Sequence, residues 1–131
     1  MKRWTWALSA IAALVLVAVS SPVSTASQPQ NQCGGPIKGR AWSAPGRSGV
    51  HYLVFVIGAS YPCNAAIKWT LKLVNDNTKG AALDSAKLKN GPKGYRCVGV
   101  VDNQNHPYSG FCIKGPQTNP TAGFDWDGSN G

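Results

Sequence analysis

The chain has 131 residues, 43% of them hydrophobic and 14% charged, with thirteen Lys and Arg, five acidic residues that are all Asp, and a formal net charge of +8. That balance excludes an intrinsically disordered chain, and the length excludes a multidomain enzyme. Two histidines, four cysteines and no Glu leave few groups for acid-base or metal chemistry.

Lys2 and Arg3 precede an apolar run, Trp6 to Val19, and Ser24-Thr25-Ala26 follows as a small-x-small site. This pattern predicts a signal peptide over 1–26. A membrane anchor needs about 20 apolar residues, and Ser20-Ser21-Pro22 interrupts the run first. Cys33 lies beyond a polar stretch, so no lipid anchor is expected. The mature protein is then predicted to be secreted, extracellular or in the cell envelope, with no membrane span.

Residues 27–49 are rich in Gly, Pro, Ser and Gln and read as an irregular lead-in; 50–131 read as a compact domain. "VHYLVFVIG", Val50 to Gly58, alternates Val50, Tyr52, Val54 and Val56 with Leu53, Phe55 and Ile57. Apolar residues at both parities predict a central strand covered on both sides. "YPCNAAIKWTLKLVNDN" predicts a helix, with Pro62 in its first turn and Asn64, Lys68, Lys72 and Asn75 in a narrow polar stripe. "AALDSAKLK", Ala81 to Lys89, reads as a further short helical segment, ended by Asn90-Gly91-Pro92. Arg96 to Val101 and Tyr108 to Lys114 are predicted strands around "DNQNHP", and Gly123 to Trp126 is a candidate last strand. The expected fold is therefore α+β: a small, mostly antiparallel sheet of about three or four strands, in the order β-α-β-β, under one main helix.

Four cysteines in an exported domain of this size predict two disulfides, and no Cys-x-x-Cys knuckle points to zinc. If the hairpin closes through Asn103 to His106, Cys97 falls opposite Cys112, Gly99 opposite Gly110 and Val98 opposite Phe111. Facing glycines leave room for a packed neighbour. Four cysteines allow three pairings that sequence does not distinguish; packing of the Cys63 end of the helix at these glycines makes Cys63 with Cys97 and Cys33 with Cys112 the expected one.

Catalytic patterns are sparse. His51 and His106 are the only imidazoles, and on a basic chain they are the pair that a ribonuclease-like phosphoryl transfer would use. Their positions, early in a strand and in a turn before Pro107, do not by themselves bring them together. Asp125 and Asp127 would share one side of a strand, as a glycosidase pair would, but sit near the C-terminus. "YSGF" lacks the spacing of a serine nucleophile elbow, and "GPKG" lacks that of a phosphate loop. No catalytic residue, metal site or cofactor is assigned. The candidate binding residues are Tyr95, Arg96, Asp102, His106, Tyr108, Lys114 and Trp126, an aromatic and cationic set around the polar tip Asp102 to Tyr108.

"PCNAA", "GPKGYRC", "GFCIKG" and "FDW" together resemble the layout of small secreted disulfide-bonded actinobacterial proteins of uncharacterised function. The resemblance implies one exported domain with a helix on a sheet, and carries over no catalytic residues. The expected function is non-enzymatic binding outside the cell or in its envelope, to an anionic envelope polymer or a protein; nucleic acid has no motif in its favour. A small secreted hydrolase using His51 and His106, and an inhibitor or toxin-like protein presenting a rigid loop, are the alternatives.

Overall fold

The computed structural model describes residues 30–58, 60–78 and 86–130. The signal peptide expected over 1–26 lies outside them, as do residues 81–85 of the expected second helical segment. The described chain runs β1 (Gln30–Gln32), β2 (Ile37–Ala44), β3 (Arg47–Ile57), α1 (Cys63–Leu73), β4 (Ala86–Leu88), β5 (Arg96–Val101), β6 (Pro107–Lys114) and β7 (Ala122–Ser129). All pairings are antiparallel, in one sheet ordered β1-β3-β7-β6-β5-β4, with β2 also paired to β3.

The α+β expectation of three or four strands is thus corrected to a mostly β fold, with seven strands and a single short helix among the described residues. Two stretches account for the difference. The supposedly irregular lead-in contains β1 and β2, whose signals are the burial of Trp42 and Ala44 between exposed Ala41 and Ser43, and the turn Pro45-Gly46. Gly46 has φ 75, and Ala44 faces Arg47 across it. Proline followed by a residue at positive φ is a tight-turn pair, so two long strands are joined with no irregular loop. The other stretch is Ala86 to Leu88, read as helix: Ala86 and Leu88 are buried and Lys87 exposed, the period of a strand.

The helix forms where its pattern placed it. Pro62 is its N-cap, with φ −76 and ψ 138, and its carbonyl accepts the Ala66 N–H at 3.1 Å. Asn64, Lys68, Lys72 and Asn75 are exposed, while Ala66, Thr70, Leu73 and Val74 are buried against the sheet. The Asn75 side chain donates to Leu71 O at 2.7 Å and helps close the C-terminal turn.

The helix covers one face of the sheet. Tyr52, Val54 and Val56 of β3 lie there beside Phe124 and Trp126 of β7, all at or below 5% exposure. Val54 faces Trp126 and Val56 faces Phe124; β6 continues these rows with Gly110 and Cys112, and β5 with Gly99 and Cys97. The expected hairpin register is therefore present. Its glycines make room for different neighbours than the helix end: a Cβ on Gly110 would lie 2.7 Å from Trp126 Cζ2, and one on Gly99 2.8 Å from Pro107 Cβ.

Two disulfides are present, Cys33–Cys63 and Cys97–Cys112. The pairing expected from the helix end, Cys63 to Cys97 and Cys33 to Cys112, is corrected. Cys97 and Cys112 face each other directly in the ladder with Cα atoms 4.1 Å apart, so the register itself joins them. Gly91 packs over that bond, where a Cβ would collide with Cys97 Sγ. Cys33 follows β1 and ties it to the first residue of α1. Disulfides suit an oxidising, extracellular setting. No helix among the described residues is long and apolar enough to cross a membrane.

Candidate binding face

With α1 on one side, the described residues leave much of the other face of the sheet uncovered. β3 was expected to be covered on both sides, yet Leu53 and Phe55 are only half-buried. Phe55 faces Asp125, Asp125 faces Phe111, Phe111 faces Val98 and Val98 faces Lys87, so five strands contribute to one continuous row. A neighbouring row runs Leu53, Asp127, Ser109, Val100. The row on the other side, Ile57, Gly123, Ile113, Arg96, has Ile57 and Ile113 buried. Directly opposed residues share a face because side chains alternate along each strand.

These rows line a groove of about 910 Å³. Its floor includes Phe55, Phe111, Val98 and Val100, and Val100 is 36% exposed. Gln117 and Pro120, from the β6–β7 loop, line it as well. That loop is fixed by Thr121, whose N–H and hydroxyl both donate to Lys114 O at 2.9 and 3.2 Å. The Arg96 guanidinium lies over the Phe111 ring at 6.0 Å and donates to Gln117 Oε1 at 3.0 Å. Lys87 is exposed on β4 at the sheet edge. Asp127 forms an ion pair with Arg47 at 3.0 Å. The charges are thus ordered across the strands: carboxylates on β7, cations on β5 and β4, and apolar side chains between.

The residues selected from sequence are placed differently. Of that set Arg96 and Trp126 border the groove, and Arg96 alone is exposed and on the open face by strand alternation. Trp126 is 1% exposed and belongs to the opposite face. Tyr108 stacks on Trp42, and Tyr95 meets Tyr61 edge-on at 5.6 Å. Lys114 is exposed at the end of β6. The structure does not gather Tyr95, Tyr108 and Trp126 into one surface patch.

Asp102 and His106 do come together, in the turn between β5 and β6. Asp102 is 3% exposed, and its Oδ1 accepts the N–H groups of Gln104 and His106 at 2.8 and 3.0 Å. Asp102 N–H in turn donates to His106 O at 2.8 Å. The tip is held from outside by Asn103 N–H donating to Ser43 O at 3.0 Å and by Arg40 donating to Gln104 Oε1 at 2.9 Å. Asn105 takes φ 63, a conformation asparagine tolerates in turns. Burial first, then the nearby Asp102 carboxylate, push the Tyr52 hydroxyl up to about 12, with the Arg40 guanidinium opposing them. Asp102 is a turn-former set into the core edge.

His51 lies on β3 opposite Lys38 and Ser129. No hydrogen bond or ring contact joins it to His106, whose Nδ1 is buried. Among the described residues no cluster of three His, Cys, Asp or Glu side chains has the arrangement of a metal site. No family model matches the chain, and no curated protein or solved structure matches it.

The open face was missed although its signals were present. Leu53, Phe55 and Ile57 need cover, and the one strong helix can cover only one side. Asp125 and Asp127 point the same way, as strand alternation predicts, and both stand on this face.

Proposed function

We propose that this is a secreted, non-enzymatic binding protein that holds its partner on the open face of the sheet. The cross-strand row Phe55, Asp125, Phe111, Val98, Lys87 carries this reading. An antiparallel sheet with a helix on one side ordinarily turns polar residues to water on the other. Here the second face keeps phenyl and aliphatic groups half-exposed along a groove, the usual mark of an interaction surface. Two disulfides and the leader-like N-terminus support export. The half-exposed Phe55, Phe111, Val98 and Val100 favour a protein or peptide partner over a polyanion, whose charges would gain nothing from them. Both histidines lie outside the groove lining, which weighs against the two-histidine hydrolase.

Titration of the folded protein with the uncharged apolar probe Nile red tests the reading. Saturable binding is expected, weakened about five- to tenfold in Phe111→Ser and Val100→Ser, in line with the apolar area removed. Both variants should keep the native circular dichroism spectrum. No binding, or binding unchanged in both variants, would overturn the assignment.

A further inference from the structure

Asn90 and Gly91 stand side by side after β4, in the turn that runs on into Pro92. Packing decides that residue 91 is glycine: a Cβ there would collide with Cys97 Sγ and lie 3.5 Å from Cys112 Sγ, and Pro92 beyond it is buried. Without a side chain, the Gly91 amide is unscreened from the Asn90 side chain that precedes it. Among the described residues that N–H has no hydrogen-bond partner. Asn90 itself is exposed, and its Nδ2 donates to Asp76 Oδ1 at 2.9 Å. Asp76 sits in the turn that ends α1, its N–H donating to Leu73 O at 2.9 Å. One neutral side chain thus ties the end of α1 to the turn that covers the Cys97–Cys112 bond.

We infer that Asn90 is a site of spontaneous covalent modification, in which closure onto the Gly91 nitrogen converts it to aspartate or isoaspartate and so releases both contacts. The Gly91 nitrogen attacks Asn90 Cγ. The N–Cγ bond forms, the Cγ–Nδ2 bond breaks, and the leaving NH2 takes the Gly91 proton and departs as ammonia. Water then opens the cyclic imide at the side-chain carbonyl to give aspartate, or at the main-chain carbonyl to give isoaspartate. Asparagine is a thermolabile residue, and glycine after it removes the steric barrier to closure. Either product places a carboxylate where Nδ2 donated, against the Asp76 carboxylate, and an attraction becomes a repulsion. The isoaspartate also carries the main chain through Cβ and Cγ, which lengthens the path from residue 90 to Gly91 by one carbon. Gly91 fits tightly over the disulfide, so the longer path shifts it off Cys97 Sγ. Attack by a thiolate depends on access to the disulfide sulfur, and Cys97 and Cys112 are 2% and 0% exposed in the unmodified fold. Conversion therefore loosens the end of α1 and opens Cys97–Cys112 to thiol reductants. Asn90 and Gly91 lie outside the groove lining, so this inference stands or falls apart from the binding face.

Prolonged incubation of the folded, oxidised protein in mildly alkaline buffer, followed by peptide mass mapping, tests the inference. The peptide holding Asn90 is expected to exchange its amide for an acid, and isoaspartyl methyltransferase should label it. Both signals should be lost in Asn90→Gln, whose extra methylene moves the carbonyl away from five-membered closure. Converted protein should show a urea midpoint shifted downward, and faster reduction of Cys97–Cys112 by dithiothreitol, than Asn90→Gln incubated in parallel. Asn90→Asp adds the charge without lengthening the main chain, so it should lower the midpoint and leave the rate of reduction unchanged. No conversion at Asn90 in the folded protein, whether or not the urea-unfolded chain converts, would overturn the site. Conversion confined to Asn130-Gly131, the other Asn-Gly pair, would do the same. Conversion at Asn90 with unchanged reduction would overturn the link to the disulfide.

Discussion

The Trp42 indole and the Tyr108 ring stack with centroids 5.3 Å apart and planes 16° from parallel, and the Arg47 guanidinium lies over both, at 5.2 and 5.5 Å. Trp42 belongs to β2 and Tyr108 to β6, which are not neighbours in the sheet. The indole reaches across because Gly128 has no side chain: a Cβ there would lie 2.6 Å from Trp42 Cε2. Gly128→Ala is expected to lose about 1 to 3 kcal/mol, since the ring must shift and give up its stack. Tyr108→Phe keeps the ring and should change stability by less than about 0.5 kcal/mol. Urea unfolding followed by tryptophan fluorescence separates the two.

The disulfides differ in what they hold. Peptide mapping is expected to recover Cys33 with Cys63 and Cys97 with Cys112. Cys33–Cys63 closes a loop of sequence separation 30 and Cys97–Cys112 one of 15. Chain entropy then makes the first worth about 0.6 kcal/mol more, of roughly 3 to 4 kcal/mol each. Replacing Cys33 and Cys63 by Ser should also free β1 and the start of α1. Faster amide exchange at Val56, whose N–H points to β1, and at Ala66 than in the Cys97→Ser, Cys112→Ser protein is the expected signature, and equal exchange would contradict it.

The comparison of sequence with structure turns on the same local physics. The helix was legible because eleven residues carried one period and Pro62 marked the start. The β5–β6 register was legible because the turn residues fixed the centre of the hairpin, and all else followed from alternation. β2 was not, because Gly39, Pro45 and Gly46 weighed as loop signals when two of them form the turn of a hairpin. β4 was too short for a periodicity to show. The binding face required knowing how many strands stand side by side, a non-local quantity: Phe55 and Phe111 are far apart in sequence and become partners only through β7.

Asp102 stabilises the tip through one oxygen, Oδ1, which accepts both the Gln104 and His106 amides. Asp102→Ala leaves two amides without their acceptor at the edge of the core and is expected to cost about 1 to 3 kcal/mol. Asp102→Asn retains an oxygen acceptor in the same place and should cost less. Hydrogen exchange at the Gln104 and His106 amides should rise strongly in the first variant and slightly in the second. Probe binding at the open face should be unaffected by either, because the tip lies outside the groove.

Tyr52 sets a limit on stability at alkaline pH. Its hydroxyl donates to Arg40 O at 2.7 Å from a side chain only 1% exposed. Burial and the Asp102 carboxylate both disfavour the phenolate, raising the folded-state value from 10.0 to about 12, while the unfolded chain ionises at its ordinary value. Between those two values the folded protein binds the proton that the unfolded chain releases, so stability falls as pH rises. The contribution is fully present below pH 10, declines through the interval to about 12, and is exhausted above it. Tyr52→Phe removes this dependence and, at neutral pH, costs about 1 kcal/mol for the hydrogen bond to Arg40 O. Unfolding free energies of the two proteins, measured by urea titration from pH 8 upward, are therefore expected to converge above pH 10. Curves that stay parallel throughout would show that the Tyr52 hydroxyl ionises alike in the folded and unfolded chains.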